Sequence, residues 1–311
     1  MWFRNLYLYR LHVQAEIDAA ALEEALAQQT TRPLRGSEAR RTGWAPPAGR
    51  RHERLLHELQ GHRLITAWRQ ERILPAAVVS EEVEDRAADR EAAEGRALPR
   101  RERQAIKEQV YEELLPRAFV RTHRIDLWWD TGRRLIGINT SSRQRAEEVL
   151  DLLRMTLGSL KVTPLAPQKV PARAMTEWLA DPTQRPEGLI LGDRVELRAK
   201  DEGVVKGREI DLDSDEMRSL LENDRQASQL GVEIEERFSF TLRDDFSLRG
   251  IRFSDSLIDE AAAADDGDDA ILRLETDFVL MAQTLGTGVD QLLGWLGGEA
   301  INEAPLLDNA A

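Results

Sequence analysis

The sequence predicts an α+β protein built on antiparallel sheets with helices, from which a charged helical arm projects. Three observations predict this class. Strand-like runs occur in pairs around short turn sequences, which is the pattern of antiparallel hairpins. Amphipathic helices with capping residues stand between the pairs. One segment, residues 76–115, breaks this pattern because Glu, Ala and Arg dominate it.

The first predicted elements are a strand and a helix. Residues 2–13 are rich in aromatic and branched side chains and predict the strand, and Asp18 is placed to cap a helix that extends through Ala27. Residues 32–51 contain several prolines and glycines. We therefore expect a long loop there rather than a regular element.

Two predicted hairpins flank the arm. The first turns at Gln60-Gly61 and the second turns over residues 130–132. Ser142 then caps an amphipathic helix that Gly158 ends. The resulting order of strand, helix, hairpin, arm, hairpin and helix predicts an antiparallel sheet with helices on one face.

The arm is predicted as two charged helices separated at Pro99. Ile106, Val110 and Leu114 fall on one helical stripe, and the rest of the segment is too polar to be buried on all sides. A projecting functional arm fits this pattern. A solvent-facing helical hairpin without a function fits it as well, and both interpretations stay open.

The second half of the chain predicts a linker and a further hairpin. Three prolines over residues 164–171 indicate the linker. Residues 232–242 alternate between apolar and polar side chains and predict one strand, which turns over residues 243–245 into a second. The other predicted elements are a helix near residues 176–180, strands over 188–198 and 203–206, a helix over 214–222, an acidic loop over 265–269 and a final helix.

Charge is distributed unevenly along the chain. The formal net charge is −13, but residues 1–145 carry 26 Lys and Arg against 21 Asp and Glu, whereas residues 146–311 carry 17 against 35. A basic half joined to an acidic half can bind a polyanion with one surface while the other keeps the protein soluble. Net charge alone therefore does not exclude nucleic acid as a partner.

Several classes of chemistry are excluded or lack support. The chain has no cysteine, which excludes disulfides and thiolate chemistry, and its five histidines lack close-paired ligand spacing. No nucleotide-binding or nucleophile motif occurs, so we expect no catalytic residue, no metal site and no cofactor. Asp211, Asp213 and Asp215 imitate part of a calcium loop, but Glu216 stands where the loop needs Gly, and capping of a helix is the preferred interpretation.

No apolar run is long enough for a membrane span, and the first residues lack the pattern of a signal peptide. We expect a cytoplasmic protein with no membrane partner.

The segment after the arm combines an aromatic ring with cations. Phe119 lies between Arg117 and Arg121, and nucleic-acid-binding proteins use arginines to contact phosphates and rings to stack on or wedge between bases. Taken alone, a residue such as Phe119 is more often a core residue. Further cations on the arm give it a candidate basic face, although a solvated helix would look the same: Arg100, Arg101, Arg103 and Lys107.

Short segments along nearly the whole chain, in order, resemble the bacterial RdgC family of recombination-associated proteins. They are Trp2-Phe3-Arg4-Asn5-Leu6, Tyr9-Arg10-Leu11, Gly43-Trp44-Ala45-Pro46-Pro47, Ile73-Leu74-Pro75, Leu114-Leu115-Pro116-Arg117-Ala118-Phe119, Leu152-Leu153-Arg154, Leu157-Gly158-Ser159-Leu160, Thr176-Glu177-Trp178, Asp277-Phe278-Val279-Leu280-Met281 and Leu296-Gly297-Gly298-Glu299-Ala300. No single segment is diagnostic, but their collinear order is.

The resemblance implies a curved monomer that closes into a homodimeric ring around double-stranded DNA. It implies binding that is largely independent of sequence, competition with the recombinase RecA, and location on the nucleoid. It also implies four regions: a central α+β domain (1–75 and 116–165), an inserted arm (76–115), a tip or gate region (166–230), and a C-terminal hairpin and helix region (231–311).

Some site residues are carried over from the family. Phe119 matches the family's aromatic residue at the arm base, which is implicated in DNA engagement and in competition with the recombinase. Arg225 occupies a position where the family has a basic residue near the gate of the ring. Another segment of the family contains basic and amide residues. This sequence has a basic residue there in Arg208, but Glu209 and Ile210 replace the family's basic and amide residues.

Two other functions remain as alternatives. A magnesium-dependent nuclease would use paired carboxylates, either Asp126 with Asp130 or Glu275 with Asp277. Solvated acids in amphipathic elements would look the same. The other alternative is an interaction protein that grips the recombinase through the charged arm.

Overall fold

A computed structural model describes residues 2–12, 17–199, 203–221, 225–234, 237–263 and 269–300. The strands are β1 (Asn5–Leu11), β2 (Arg40–Ala45), β3 (Leu56–Leu59), β4 (His62–Ile73), β5 (Phe119–Asp130), β6 (Leu135–Ile138), β7 (Val162–Pro164), β8 (Leu189–Arg198), β9 (Val204–Arg208), β10 (Gln226–Ile234), β11 (Phe238–Arg243) and β12 (Leu248–Phe253). The helices are α1 (Ala19–Ala27), α2 (Ala76–Glu94), α3 (Arg100–Leu114), α4 (Arg143–Leu157), α5 (Pro171–Ala180), α6 (Asp215–Leu221), α7 (Asp255–Ala263) and α8 (Ala270–Trp295).

All of these strands belong to one antiparallel sheet. Its order is β2-β4-β5-β6-β1-β12-β11-β10-β8-β9, with β3 added to β4 and β7 added to β1. β1 lies in the middle, where it pairs with β6 on one side and β12 on the other. The predicted α+β class is confirmed. The division of the chain into four regions stays a prediction.

Two hydrophobic cores lie on opposite sides of the sheet. On one side α1 and α4 bury leucines such as Leu22 and Leu153 against Trp129 of β5. On the other side α5 and α8 pack with Trp128 of the same strand. Successive side chains of a strand point to opposite sides, so neighbouring tryptophans enter different cores. The expectation of helices on one face is confirmed for α1 and α4, the helices for which it was made, whereas α5 and α8 cover the other face.

The helix starts follow the predicted capping chemistry. Asp18 accepts a hydrogen bond from the backbone N–H of Ala21 at 2.7 Å, and Ser142 accepts one from Arg145 at 3.4 Å. Each satisfies a donor that the first helical turn leaves open. At α6, Ser214 accepts from the N–H of Met217 at 3.4 Å, which supports capping over a calcium loop.

The predicted loop over residues 32–51 was wrong in part, because it contains β2. This strand pairs along its whole length with β4. Gly43 suggested a loop, but here it allows a close approach of two backbones. A Cβ at Gly43 would lie 2.8 Å from the Cα atom of Thr31, which is too close for any side chain.

The single strand predicted over residues 232–242 is two strands. β10 ends at Ile234 and β11 begins at Phe238, and these two residues face each other in the register. The backbone N–H of Arg237 closes the turn on the Ile234 carbonyl at 2.8 Å. Ile234 and Phe238 are an even number of residues apart and are both buried. The apolar-polar alternation of the sequence therefore continues across the turn, and the pattern alone does not indicate that the strand ends there.

The predicted linker over residues 164–171 is fixed to its surroundings. The backbone N–H of Leu165 donates to the Leu8 carbonyl, and that of Lys169 donates to the Leu296 carbonyl, both at 2.9 Å. Pro171 opens α5, which begins earlier than predicted. The prolines therefore lie in a connecting segment that backbone hydrogen bonds attach to Leu8 and Leu296, and not in a free linker. Residues 265–268 of the predicted acidic loop, and Glu222 of the predicted helix, lie outside the described residues.

Candidate nucleic-acid interface

The arm is a helical hairpin with its own small core. α2 and α3 pack through Val79, Ala87, Ile106 and Val110, a cluster separate from both cores of the sheet. Ion pairs join the two helices on the outside, among them Arg86 with Glu113 at 2.7 Å. The arm therefore holds together without resting on the sheet.

The four candidate cations of the arm differ in their surroundings. Arg103 donates to Glu91 across the hairpin at 3.0 Å. Arg100, Arg101 and Lys107 are exposed and have no ion-pair partner among the described residues. These three cations can contact a polyanion without first breaking an ion pair.

The base of the arm exposes apolar side chains. Phe119 begins β5 directly opposite Ile73, the last residue of β4, and its side chain is 86% exposed. Ile73 and Val120 are also largely exposed. Apolar surface in water costs free energy, and an exposed aromatic residue of this size commonly marks a binding surface. Phe119 is not a core residue.

Arg117 and Arg121 flank Phe119 but are not equivalent. Arg117 is exposed and has no ion-pair partner among the residues that the structure describes. Arg121 donates to Glu71 at 2.5 Å. Hydrogen bonds from Arg121 and Arg69 lower the pKa of Glu71 to about 2, so this carboxylate stays charged and partly neutralises Arg121.

Arg208 and Arg225 lie far along the sheet from the arm. Arg208 ends the edge strand β9 and faces Arg194 of β8. Arg225 precedes β10, and its Nε is buried without a hydrogen-bond partner among the described residues. β10 starts opposite Arg198, at the other end of β8, so the structure does not bring Arg208 and Arg225 together.

A surface that the sequence reasoning missed lies between these positions. Strands β8 to β12 bury one side against α5 and α8, whereas no described helix packs on their other side. We call this uncovered side the open face. Its basic side chains are Arg194, Arg198, Lys206, Arg208, Arg243, Arg249 and Arg252, and its carboxylates include Glu196 and Glu233.

The open face and the arm base share one side of the sheet. Arg249 of β12 pairs with Asn5 of β1, and its guanidinium stacks 4.3 Å from the ring centre of Tyr7. Tyr7 faces Ile138 of β6, which packs in the same core as Leu127 of β5. Phe119 and Arg121 lie on that side of β5, two residues apart. α1 and α4 cover the middle of this side.

The paired carboxylates have partners of their own. Asp126 is buried and accepts from Thr66 and Arg124, both at 2.7 Å. Asp130 is buried and binds Arg133. Glu275 accepts from His57 at 2.7 Å. Within the described residues, no three His, Asp or Glu side chains are grouped as metal ligands would be.

The described helices contain no candidate membrane span.

The sheet, the arm and the open face together define a single-sheet α+β protein with an inserted helical hairpin and one basic, uncovered sheet face.

Sequence comparisons identify the family. A family model described as "Putative exonuclease, RdgC" matches residues 1–299. A relative from Tolumonas auensis, named "Recombination-associated protein RdgC", is 37% identical over 96% of this chain and 99% of its own length. Relatives of the same name from Yersinia pestis and Yersinia pseudotuberculosis are 36% identical over the same shares. The chain belongs to the RdgC family.

Proposed function

We propose that this protein is a recombination-associated, non-enzymatic protein that binds double-stranded DNA largely without regard to sequence. The observation that carries the proposal is the open face, whose cations share one side of the sheet with Phe119 and Arg121. Contacts from arginine to phosphate supply affinity without reading bases. Phe119 adds a ring that can wedge into or stack on the duplex.

We further propose that two copies enclose the duplex as a ring and thereby restrain RecA. Two features support the assembly. The end strand β9 has a neighbour on one side only in the described sheet, and such an edge can pair with another chain. The resemblance to ring-forming relatives points the same way. A closed ring prolongs residence on DNA through topology, so its individual contacts can be weak.

The test is a duplex-binding titration across a salt series. Each phosphate contact adds about 0.9 to the slope of log K against log salt, so wild-type binding should weaken steeply as salt rises. Phe119→Ala with Arg117→Ala and Arg121→Ala should weaken binding, and so should Arg243→Ala with Arg252→Ala. Arg218→Ala is the matched control, because this exposed cation lies on α6, which packs on the other side of the sheet.

The dimer should survive both sets of substitutions, which sedimentation can check. Wild-type affinity that does not change from low to high salt would contradict the phosphate-bound ring.

A nuclease is the second candidate, because the matching family model carries the word exonuclease in its description. Labelled duplex is incubated with pure protein and magnesium or manganese. We expect no cleavage. Cleavage that Asp126→Ala or Asp277→Ala abolishes would overturn the non-enzymatic proposal and would identify these carboxylates as metal ligands.

A further inference from the structure

One carboxylate on the open face is almost completely enclosed. Glu196 lies two residues before the end of β8, between β9 and β10, and its side chain is only 6% exposed although no described helix covers this face. Polar side chains of β8, β9 and β10 contact both of its carboxylate oxygens.

Four side chains donate to Glu196. Oε1 accepts from the Ser228 hydroxyl at 2.9 Å and from the Arg198 guanidinium at 2.9 Å. Oε2 accepts from the Gln229 amide at 2.9 Å and from the Lys206 ammonium at 3.1 Å. Two cations, a hydroxyl and an amide are the donor types that commonly hold a DNA phosphate.

Glu196 stays ionised at every pH at which the protein is expected to work. Burial raises the pKa of Glu196, but the hydrogen bonds from Ser228, Lys206 and Arg198 outweigh burial, and the pKa lies at about 2. The charges of Arg198 and Lys206 are thus opposed by a permanent negative charge.

Other cations on the same face are not held in this way. Arg243 and Arg252 have no ion-pair partner in the described part of the chain. Arg194 lies 3.7 Å from Asp193, with both side chains substantially exposed, and exposed pairs of this length are weak. Arg198 and Lys206 therefore differ from the neighbouring cations, because both form ion pairs with a buried carboxylate.

We infer that Glu196 acts as a resident anion that withholds Arg198 and Lys206 from DNA phosphates and thereby limits the affinity of the open face for duplex. The inference rests on the proposed DNA-binding function. A phosphate that took both cations would leave the Glu196 carboxylate enclosed without its charged partners, which is strongly unfavourable. The pair therefore stays with Glu196 when DNA binds, and the duplex is held by the unpaired cations.

The test compares two neutralising substitutions on one face. Glu196→Gln removes the resident charge and frees both cations. Glu233→Gln removes a charge from the neighbouring strand β10, where no cation is bound to it among the described residues. In a salt series, Glu196→Gln should steepen the slope by up to about 1.8, because two further phosphates are contacted. If variant and wild type bind equally at 1 M salt, this slope difference corresponds to a gain of up to roughly 60-fold at 0.1 M salt. Glu233→Gln should leave the slope unchanged.

A third variant, Glu196→Gln with Arg198→Gln and Lys206→Gln, removes the resident anion and both of its cations together, so that no buried charge is left without a partner. It should bind duplex with the wild-type slope, because Arg198 and Lys206 do not contact phosphate in the wild type. A slope about 1.8 below that of the wild type would overturn the inference, even if Glu196→Gln alone fails to fold.

The outcomes separate the two proposals. If wild-type protein binds duplex and Glu196→Gln folds but has the wild-type slope, the resident-anion inference fails while the proposed function stands. If wild-type protein binds no duplex, the proposed function fails and the inference fails with it.

Discussion

Ile73 and Phe119 face each other in the last register pair of β4 and β5, and both side chains are exposed where the arm leaves the sheet. A pair of apolar residues at the end of a two-stranded ribbon adds little to folding, because water still reaches both. We assign the pair to binding rather than to stability.

Phe119→Ala should therefore separate binding from folding. We expect the free energy of unfolding to change by less than about 0.5 kcal/mol, as for other exposed positions. Duplex affinity should fall several-fold. Phe278→Ala is the matched control, since this ring is fully buried and its loss should cost about 3–5 kcal/mol. Urea unfolding checks both values, and a large loss of stability in Phe119→Ala would contradict the assignment.

Two glycines predict opposite effects of an added methyl group. A Cβ at Gly137 would lie 2.8 Å from side-chain carbons of Leu6 and Trp128, both buried. Gly137→Ala should therefore destabilise the protein by about 1–3 kcal/mol through overpacking.

Gly294 lies in α8, where an added Cβ would meet open space. Gly294→Ala should therefore stabilise the helix by roughly 0.5–1 kcal/mol. Thermal unfolding of both variants is the measurement.

The lowered pKa of Glu71 predicts that the free energy of unfolding decreases in acid. Its pKa is lowered from 4.5 to about 2, by hydrogen bonds from Arg121 first and then from Arg69 and His123. A carboxyl group with a lowered pKa stabilises the folded state fully above the unfolded pKa and loses this effect as the pH falls toward the folded pKa. The stabilisation by Glu71 is therefore lost as the pH falls from 4.5 to about 2.

Urea unfolding of wild type and Glu71→Gln at pH 5, 4 and 3 checks this. The difference between the two free energies of unfolding should shrink as the pH falls. A difference that stays constant would mean that the ion pairs of Glu71 do not contribute to folding.

The arm should be removable. Because Ile73 and Phe119 are directly paired, a short Asn-Gly turn in place of residues 74–118 can close the hairpin of β4 and β5. The core of the arm is separate, so both sheet cores should remain intact. Loss of the unpaired cations Arg100, Arg101, Lys107 and Arg117 should reduce the salt slope by up to about 3.6.

The same variant tests whether the arm grips the recombinase. If inhibition of RecA results from DNA occupancy, armless and wild-type protein should inhibit strand exchange equally when they occupy equal fractions of the duplex. Inhibition that disappears at equal occupancy would favour direct contact through the arm.

Local signals predicted much of the fold. The turns at Gln60-Gly61 and over residues 130–132, and the caps Asp18 and Ser142, depend on neighbours in sequence and were confirmed. β2 was missed because its pairing with β4 is a tertiary contact and Gly43 resembles a loop residue until Thr31 is known to lie against it. Tertiary context decides such short strands.

The candidate site could be predicted only in part. Phe119 and its flanking arginines are adjacent in sequence, whereas the open face draws cations from separate strands. Alternation along β11 indicates which of its residues share a side, but on β12 a register shift places Arg249 and Arg252, three residues apart, on the same side. Neither pattern shows whether a helix covers that side. α4 covers Tyr7 and leaves Arg249 at the boundary, although both lie on one side of the sheet.

The central position of β1 has a consequence for how the chain is made. Asn5 leaves the ribosome long before its partner Arg249, because most of the described residues lie between the two. Pairing over such a separation is slow, because closing a long loop costs entropy before any contact compensates for it. Until β12 arrives, the middle of the sheet presents an unpaired edge, and a product truncated before Leu248 keeps that edge permanently. Chains that lack β12 should therefore aggregate or be degraded.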